Sequence, residues 1–135
     1  YQFDWDKMIS FKGNAGPYLQ YAYARVRTMF RKGDVHFDTF EGAPLQFIHP
    51  SELALAKQLL RWDEAVHQAA EGYLPHILCD HLYAIARCFS HFYQECPVLK
   101  AEANERLSRL TLAKLTALQL SMGLELLGIE VLERM

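Results

Sequence analysis

The chain has 135 residues, of which 51% are apolar and 22% are charged, and its formal net charge is −2. This length and balance predict one compact domain with enough apolar residues for a core and enough charge for a polar surface. The slightly acidic total excludes a uniformly basic nucleic-acid-binding protein, although a local basic patch can still attract phosphates. No stretch approaches the roughly 20 consecutive apolar residues of a membrane-spanning helix, so we expect no membrane partner.

The three cysteines, Cys79, Cys88 and Cys96, are odd in number and form no C-x-x-C pair. A disulfide framework or a structural zinc site is therefore not expected. A reducing, cytoplasmic location is the simpler interpretation, and no signal-peptide pattern opposes it. The chain begins at Tyr1 rather than Met, so we interpret residues 1–135 as a single domain from a longer protein.

The first half of the chain predicts one long helix between two irregular segments. Residues 1–16 show no helical period and predict a lead-in loop, rich in glycine towards its end. Residues 18–32 carry apolar side chains at helical spacing, with Pro17 at the expected start and Gly33 at the expected end. Residues 33–50 have no clear period and predict one long connection.

The second half predicts three or four further helices. One covers about residues 51–60, and a short one follows, with Asp63 as its cap and Gly72 as its end. The next opens at Pro75 and runs to about residue 94. Its apolar arc consists of Ile77, His81, Ile85, Cys88 and Phe92. The opposite side, which we expect to face water, consists of Asp80, Arg87, His91 and Gln94.

Residues 103–127 predict the last long helix, which Gly128 ends. It is apolar nearly all round, and such a helix is usually central, with neighbours on several sides. No segment shows β alternation. The expected fold class is therefore all-α, a helical bundle of four to five helices with short connections.

No catalytic residue and no metal ligand set is predicted in this chain. The six histidines lack the spacing that places two ligands on one helical face. Cys88 lies on the predicted apolar arc, where a thiol is inert. The glycine-rich residues 13–16 lack the G-K-[ST] ending of a phosphate-binding loop and follow no strand.

The first helix carries the most informative polar pattern. Tyr21, Arg25, Thr28 and Lys32 follow one another at spacings of four, three and four, so they share one line on the helix surface. Arg27 and Arg31 lie on an adjacent strip. A tyrosine ring beside guanidinium groups suits a splayed RNA base and its phosphates. A solvated basic face with a half-buried tyrosine is the alternative.

Three blocks resemble the DALR-type anticodon-binding domain of the class I arginyl-tRNA synthetases. The longest is FDWDKM at residues 3–8 followed by GNAGPYLQYAYAR at residues 13–25. The others are residues 89–99 (FSHFYQECPVL) and residues 123–135 (GLELLGIEVLERM). The blocks occur in family order and extend over almost the whole chain.

The chain departs from the family pattern in four respects. Tyr23 stands where the family often has His, and Asn14-Ala15 replaces the commoner Asp-Thr. Residues 33–50 align with nothing in the family pattern. The HIGH-type and KMSKS-type signatures of the catalytic domain are absent. Residues 7–10 (KMIS) resemble the KMSKS-type signature only superficially. The resemblance therefore implies that a missing N-terminal catalytic domain uses ATP (with Mg) and arginine, and that this chain holds no cofactor.

By the same resemblance, this chain would bind the anticodon loop of an arginine tRNA and not DNA. The loop of residues 10–15, including Lys12, Gly13 and Asn14, would approach the anticodon loop. The side chains expected to contact its nucleotides are Tyr21, Arg25, Tyr93 and Met135. Tyr93 lies at the margin of the apolar arc, which also suits a core tyrosine, and a terminal methionine is often disordered.

The resemblance implies that the domain holds tRNA so that its acceptor end reaches the active site of an arginine–tRNA ligase. The rival hypothesis is a helical interaction module without RNA contact, in which the apolar last helix docks a partner or the catalytic domain in cis. Binding to RNA weakens steeply with salt, whereas apolar docking does not.

Overall fold

The computed structural model describes residues 2–10, 12–13 and 15–135. Within them the chain forms six helices and no strand: α1 (Trp5–Met8), α2 (Gly16–Lys32), α3 (Pro50–Leu59), α4 (Trp62–Gly72), α5 (Pro75–Glu95) and α6 (Ala103–Leu126). Apart from α1, which has 4 residues, these are the helices that the periodicity predicts. The all-α bundle is therefore confirmed.

The core lies around α5, which packs against α2, α3, α4 and α6. Five of its side chains are fully buried in one continuous cluster: Leu82, Ile85, Ala86, Phe89 and Phe92. The prediction that α6 is the surrounded helix is only partly right, since α6 packs against α2, α3 and α5. One side of α6 stays open to solvent. Four apolar residues on it each have an exposed fraction of 39–44%: Leu107, Leu115, Leu118 and Met122.

The helix α1 lies where the sequence predicts a loop, so that prediction is wrong. The side chain of Asp4 accepts hydrogen bonds from the backbone amides of Asp6 (3.0 Å) and Lys7 (3.3 Å) and thereby caps the helix. A helix of one turn with no buried residue has no apolar stripe, so periodicity cannot reveal it.

Gly33 and Gly72 stand at helix ends as predicted, since Gly33 is the C-cap of α2 and Gly72 is the last residue of α4. The left-handed position, however, is taken by the residue that follows each glycine. Asp34 and Tyr73 adopt the left-handed conformation, both with φ of 52°. After each, the amide of the next residue donates to a carbonyl five positions back, and Leu74 N lies 2.9 Å from the carbonyl oxygen of Ala69. Gly128, with φ of 75°, takes the left-handed position after α6 itself, as predicted.

The start of α4 also differs from its prediction. Asp63 lies in the first turn, and Arg61 precedes the helix without a side-chain cap. The backbone continues from α3 into α4 through a tight turn, in which the amide of Arg61 donates to the carbonyl of Gln58 (3.2 Å). An acidic residue within the first turn still complements the helix dipole, so Asp63 serves the start of α4 without capping it.

Residues 33–49 form the predicted long connection and lie along α6. The amide of Ala43 donates to Thr111 Oγ1 (2.9 Å), and the amide of Gln46 donates to Ser108 Oγ (2.8 Å). Lys114 Nζ donates to the carbonyl of Phe40 (2.6 Å). Polar side chains of α6 therefore hold an irregular segment whose backbone would otherwise lack partners.

Substituting Gly123 by alanine will destabilise the contact between α5 and α6. A Cβ at this position would lie 2.5 Å from Leu82 Cδ2, and Leu82 is fully buried. Overpacking of this kind costs about 1–3 kcal/mol. Urea denaturation should show this loss for Gly123→Ala. The control Gly16→Ala, whose Cβ would meet Ile129 at 3.8 Å, should leave stability unchanged or raised; equal effects of the two would contradict the packing argument.

His81 makes the stability of the fold depend on pH. Burial lowers the pKa of His81 below its ordinary value of 6.5, and the positive charge of Arg61 acts in the same direction, whereas the hydrogen bond with Gln119 and the charge of Glu64 oppose it. The folded chain thus favours the neutral ring, and stability is full above about pH 6.5 and falls as pH drops towards the lowered pKa.

We expect the free energy of unfolding to decrease by at most about 1.4 kcal/mol per pH unit from this residue. The measurement is urea denaturation between about pH 5 and 8. His81→Gln should flatten the curve in that window. A curve for His81→Gln parallel to that of the parent chain would rule out His81 as the source.

Candidate nucleic-acid interface

An open groove runs between α2, α5 and the segment that follows α5. We call it the α2–α5 groove, and its volume of about 770 Å³ is within the usual range for ligand pockets. The described lining residues include no Asp or Glu. They are Tyr21, Ala24, Arg25, Thr28, Met29, Lys32, Tyr93, Gln94, Cys96, Pro97, Val98, Leu99, Lys100 and Met135.

The guanidinium of Arg25 lies between two tyrosine rings in this groove. Its Cζ is 4.8 Å from the ring centroid of Tyr21 and 5.2 Å from that of Tyr93. Tyr21 and Arg25 are neighbours on one helix face, while Tyr93 arrives from α5. The hydrogen bond and positive charge of Arg25 lower the pKa of Tyr21. Both rings are more than 40% exposed, so each offers surface for a further stack.

The line of polar side chains on α2 is confirmed, but the adjacent strip has another role. Tyr21, Arg25, Thr28 and Lys32 all line the groove. Arg27 and Arg31 instead bind the C-terminal segment: Arg27 Nη2 is 3.0 Å from Glu133 Oε1, and Arg31 Nη2 donates to the carbonyl of Glu133 (3.1 Å).

The last residues of the chain cross α2 and end at the groove. Gln20 Nε2 donates to the carbonyl of Glu130 (2.7 Å), and Arg27 and Arg31 fix Glu133 as described above. Met135 therefore lies among the groove residues, and its side chain is 52% exposed. The structure brings Met135 together with Tyr21, Arg25 and Tyr93.

Lys12 and Gly13 lie elsewhere, in a neighbouring groove over α5. This α5 groove has a volume of about 350 Å³ and is lined by Lys12, Gly13, Tyr18, Tyr83, Arg87, Ser90, His91 and Gln94. Gln94 also lines the α2–α5 groove, so the two are adjacent. Asn14, the remaining predicted site residue, lies outside the described residues.

A buried ion network supports the wall of the α2–α5 groove at residues 96–98. Arg109 Nη1 donates to the carbonyl of Pro97 (2.8 Å), while Nη2 lies 3.1 Å from Glu52 Oε1 and 2.6 Å from Glu105 Oε1. Arg109 and Glu52 are 5% and 0% exposed. Sequence reasoning missed this support, because an arginine and a glutamate 57 positions apart carry no local signal.

The chemistry of the described residues is that of binding. Burial raises the pKa of the free thiols of Cys79, Cys88 and Cys96, which makes them poor nucleophiles. The described residues contain no cluster of three or more His, Cys, Asp or Glu suited to a metal ion. None of the described helices is long and apolar enough to cross a membrane.

The groove joins exposed aromatic rings to basic side chains, and unstacked RNA bases can stack on rings of this kind. Residues 19–135 match the family model described as the DALR anticodon binding domain. The chain belongs to this family, so the resemblance to it is confirmed.

Relatives and solved structures agree with this assignment. The chain is 50% identical to the arginine–tRNA ligase of Mannheimia succiniciproducens and 53% identical to that of Hahella chejuensis, over 100% of this chain and 23% of each relative. The Thermus thermophilus arginyl-tRNA synthetase matches 93% of this chain and 22% of its own, with a TM-score of 0.83 and 39% identity. The Plasmodium falciparum arginyl-tRNA synthetase matches 100% of this chain, with a TM-score of 0.82 and 29% identity.

Proposed function

We propose that this chain binds the anticodon loop of an arginine tRNA as the anticodon-binding domain of a longer arginine–tRNA ligase. The observation that carries the proposal is the placement of Arg25 between Tyr21 and Tyr93 in one groove. The family and the ligase relatives agree with it. The chain spans 23% of the length of the first of those relatives.

In the proposed complex, unstacked anticodon-loop bases lie on the exposed faces of Tyr21 and Tyr93. Each stack of this kind contributes about 1–3 kcal/mol. Arg25 keeps its guanidinium close to both rings and directs its N–H groups at base edges or phosphates, while Met135 adds an apolar contact. Lys32 and Lys100 line the same groove and attract the backbone between the bases.

The domain's contribution to the ligase reaction is positioning. ATP (with Mg) and arginine are used by a catalytic domain in cis, in the part of the ligase outside this chain. Holding the anticodon stem converts tRNA binding energy into correct placement of the acceptor end, without any bond being made in this domain. The positioning role predicts that the groove affects charging of tRNA and not the binding of arginine or ATP.

The full-length ligase tests this role. The first alteration deletes the segment of the ligase that corresponds to this chain, and the second combines Tyr21→Ala with Arg25→Met. Either should lower kcat/KM for arginine tRNA by at least the roughly fivefold effect of one lost stack. The KM values for arginine and ATP should stay within twofold. Unchanged tRNA charging after either alteration would contradict the positioning role.

A second role is favoured by the open side of α6. Leu107, Leu115, Leu118 and Met122 form an apolar stripe outside both grooves, and each is about 40% exposed. We propose that this stripe docks against the remainder of the ligase in cis. The two roles are compatible because they use different surfaces, and salt separates them: only the RNA contact weakens steeply as salt rises.

A further inference from the structure

We propose that the α5 groove binds the phosphodiester backbone of the same RNA strand whose bases occupy the α2–α5 groove. This inference rests on the proposed function, since it extends the path of that RNA across the domain. The feature that carries it is a polar face of α5 that the sequence predicts to face only water. Arg87, His91 and Gln94 lie at spacings of four and three, and all three line the groove.

The two grooves form one continuous surface. Gln94 lines both of them, with Tyr93 beside it in the α2–α5 groove and His91 in the α5 groove. A strand that leaves a base on Tyr93 therefore meets Gln94 and then the α5 groove. Lys12 and Gly13 border the far side, and Gly13 adopts a φ of 83°, a conformation that glycine takes without strain.

The charge of this surface contrasts with that of the chain. The whole chain has a formal net charge of −2, yet none of the described residues lining either groove is Asp or Glu. Arg25, Lys32 and Lys100 line the first groove, and Lys12 and Arg87 line the second. A tract that excludes carboxylates over two adjacent grooves attracts a polyanion, whatever the net charge is.

The lining of the α5 groove suits phosphates better than bases. The side chains of Lys12, Arg87, Ser90, His91 and Gln94 can all donate hydrogen bonds. The rings in this groove are occupied with each other: Tyr18 and Tyr83 pack edge to face at 5.7 Å, and both are partly buried. Arg87 Cζ lies 5.8 Å from the Tyr83 centroid, which holds the guanidinium at the groove. Phosphate contacts of this kind fix register but carry no sequence information.

The test is a salt titration with two RNAs and charge-matched variants. The probes are an arginine-tRNA transcript and the same transcript with its anticodon replaced, with affinities measured at four salt concentrations. Arg87→Gln should weaken the binding of both transcripts by the same factor. It should also make the negative slope of log K against log salt shallower by about 0.7–0.9. Arg87→Lys should restore the slope. Arg61→Gln, which removes an equal charge from the start of α4, should leave it unchanged.

The outcomes separate this inference from the proposed function. If Arg87→Gln and Arg61→Gln give the same slope and affinity, the α5 groove is not a phosphate site, even where the unaltered chain prefers the arginine anticodon. If Arg87→Gln makes the slope shallower but the unaltered chain binds both transcripts equally, the phosphate site in the α5 groove is supported and the proposed recognition of anticodon bases is contradicted. Absence of binding to either transcript contradicts both. Thermal unfolding of each variant confirms that the compared chains are folded.

Discussion

Tyr93→Ala is expected to weaken binding of an arginine tRNA by roughly 5- to 150-fold, which is the equivalent of one base stack at about 1–3 kcal/mol. The ring of Tyr93 contacts Arg25, whose Cζ lies 5.2 Å from the ring centroid, and Phe89, at 6.1 Å between centroids, and these contacts hold the ring in place. Removing it deletes the stacking surface and one of the two rings that orient Arg25. Fluorescence anisotropy or filter binding gives the affinity.

Two variants make the result specific to the ring. Tyr93→Phe keeps the stacking surface and should bind within about threefold of the parent chain, because a phenyl face stacks as a phenol face does. Tyr73→Asn removes a tyrosine that is 90% exposed and lines neither groove, and asparagine accepts its left-handed backbone. Equal losses in Tyr93→Ala and Tyr73→Asn would show that the effect has nothing to do with the groove.

Arg109→Met is expected to reduce the free energy of unfolding by about 3–5 kcal/mol, because it leaves the carboxylate of Glu52 buried without its partner. Glu52 is fully buried and Arg109 is 5% exposed, so water cannot replace the missing charge. The carbonyl of Pro97, which accepts from Arg109 Nη1 at 2.8 Å, also loses its donor. Urea denaturation followed by circular dichroism measures the loss.

The double variant Glu52→Gln with Arg109→Met separates charge burial from packing. Removing both charges should recover most of the lost stability, because a neutral pair of similar volume avoids the cost of an uncompensated buried ion. A double variant as unstable as Arg109→Met would show that shape rather than charge decides. A single-variant effect below about 1 kcal/mol would contradict the account of the groove wall, since ordinary surface changes reach only about half of that.

Elements with a long apolar stripe could be predicted from sequence, and short or long-range features could not. The bounds of α2 and α5 were predicted to within about two residues because each has a continuous apolar face and a proline near its start. The helix α1 depends on one capping carboxylate. The end of α4 depends on Tyr73 in a left-handed conformation, which is rare for a bulky residue.

The candidate site divides in the same way. Tyr21 and Arg25 are four positions apart on one helix, so local geometry alone places them together. Placing Tyr93 and Met135 beside them needs the packing of α5 on α2 and the path of the C-terminal segment, which only the family resemblance anticipated. The diversion of Arg27 to Glu133, 106 positions away, had no local signal.

Comparing the affinities of this chain for an arginine-tRNA transcript and for the same transcript with its anticodon replaced, at two salt concentrations, tests the central claim most directly. The account predicts tighter binding to the arginine anticodon at both concentrations, with both affinities falling as salt rises. Equal affinity for the two transcripts would contradict it, because phosphate contacts alone would then explain the binding.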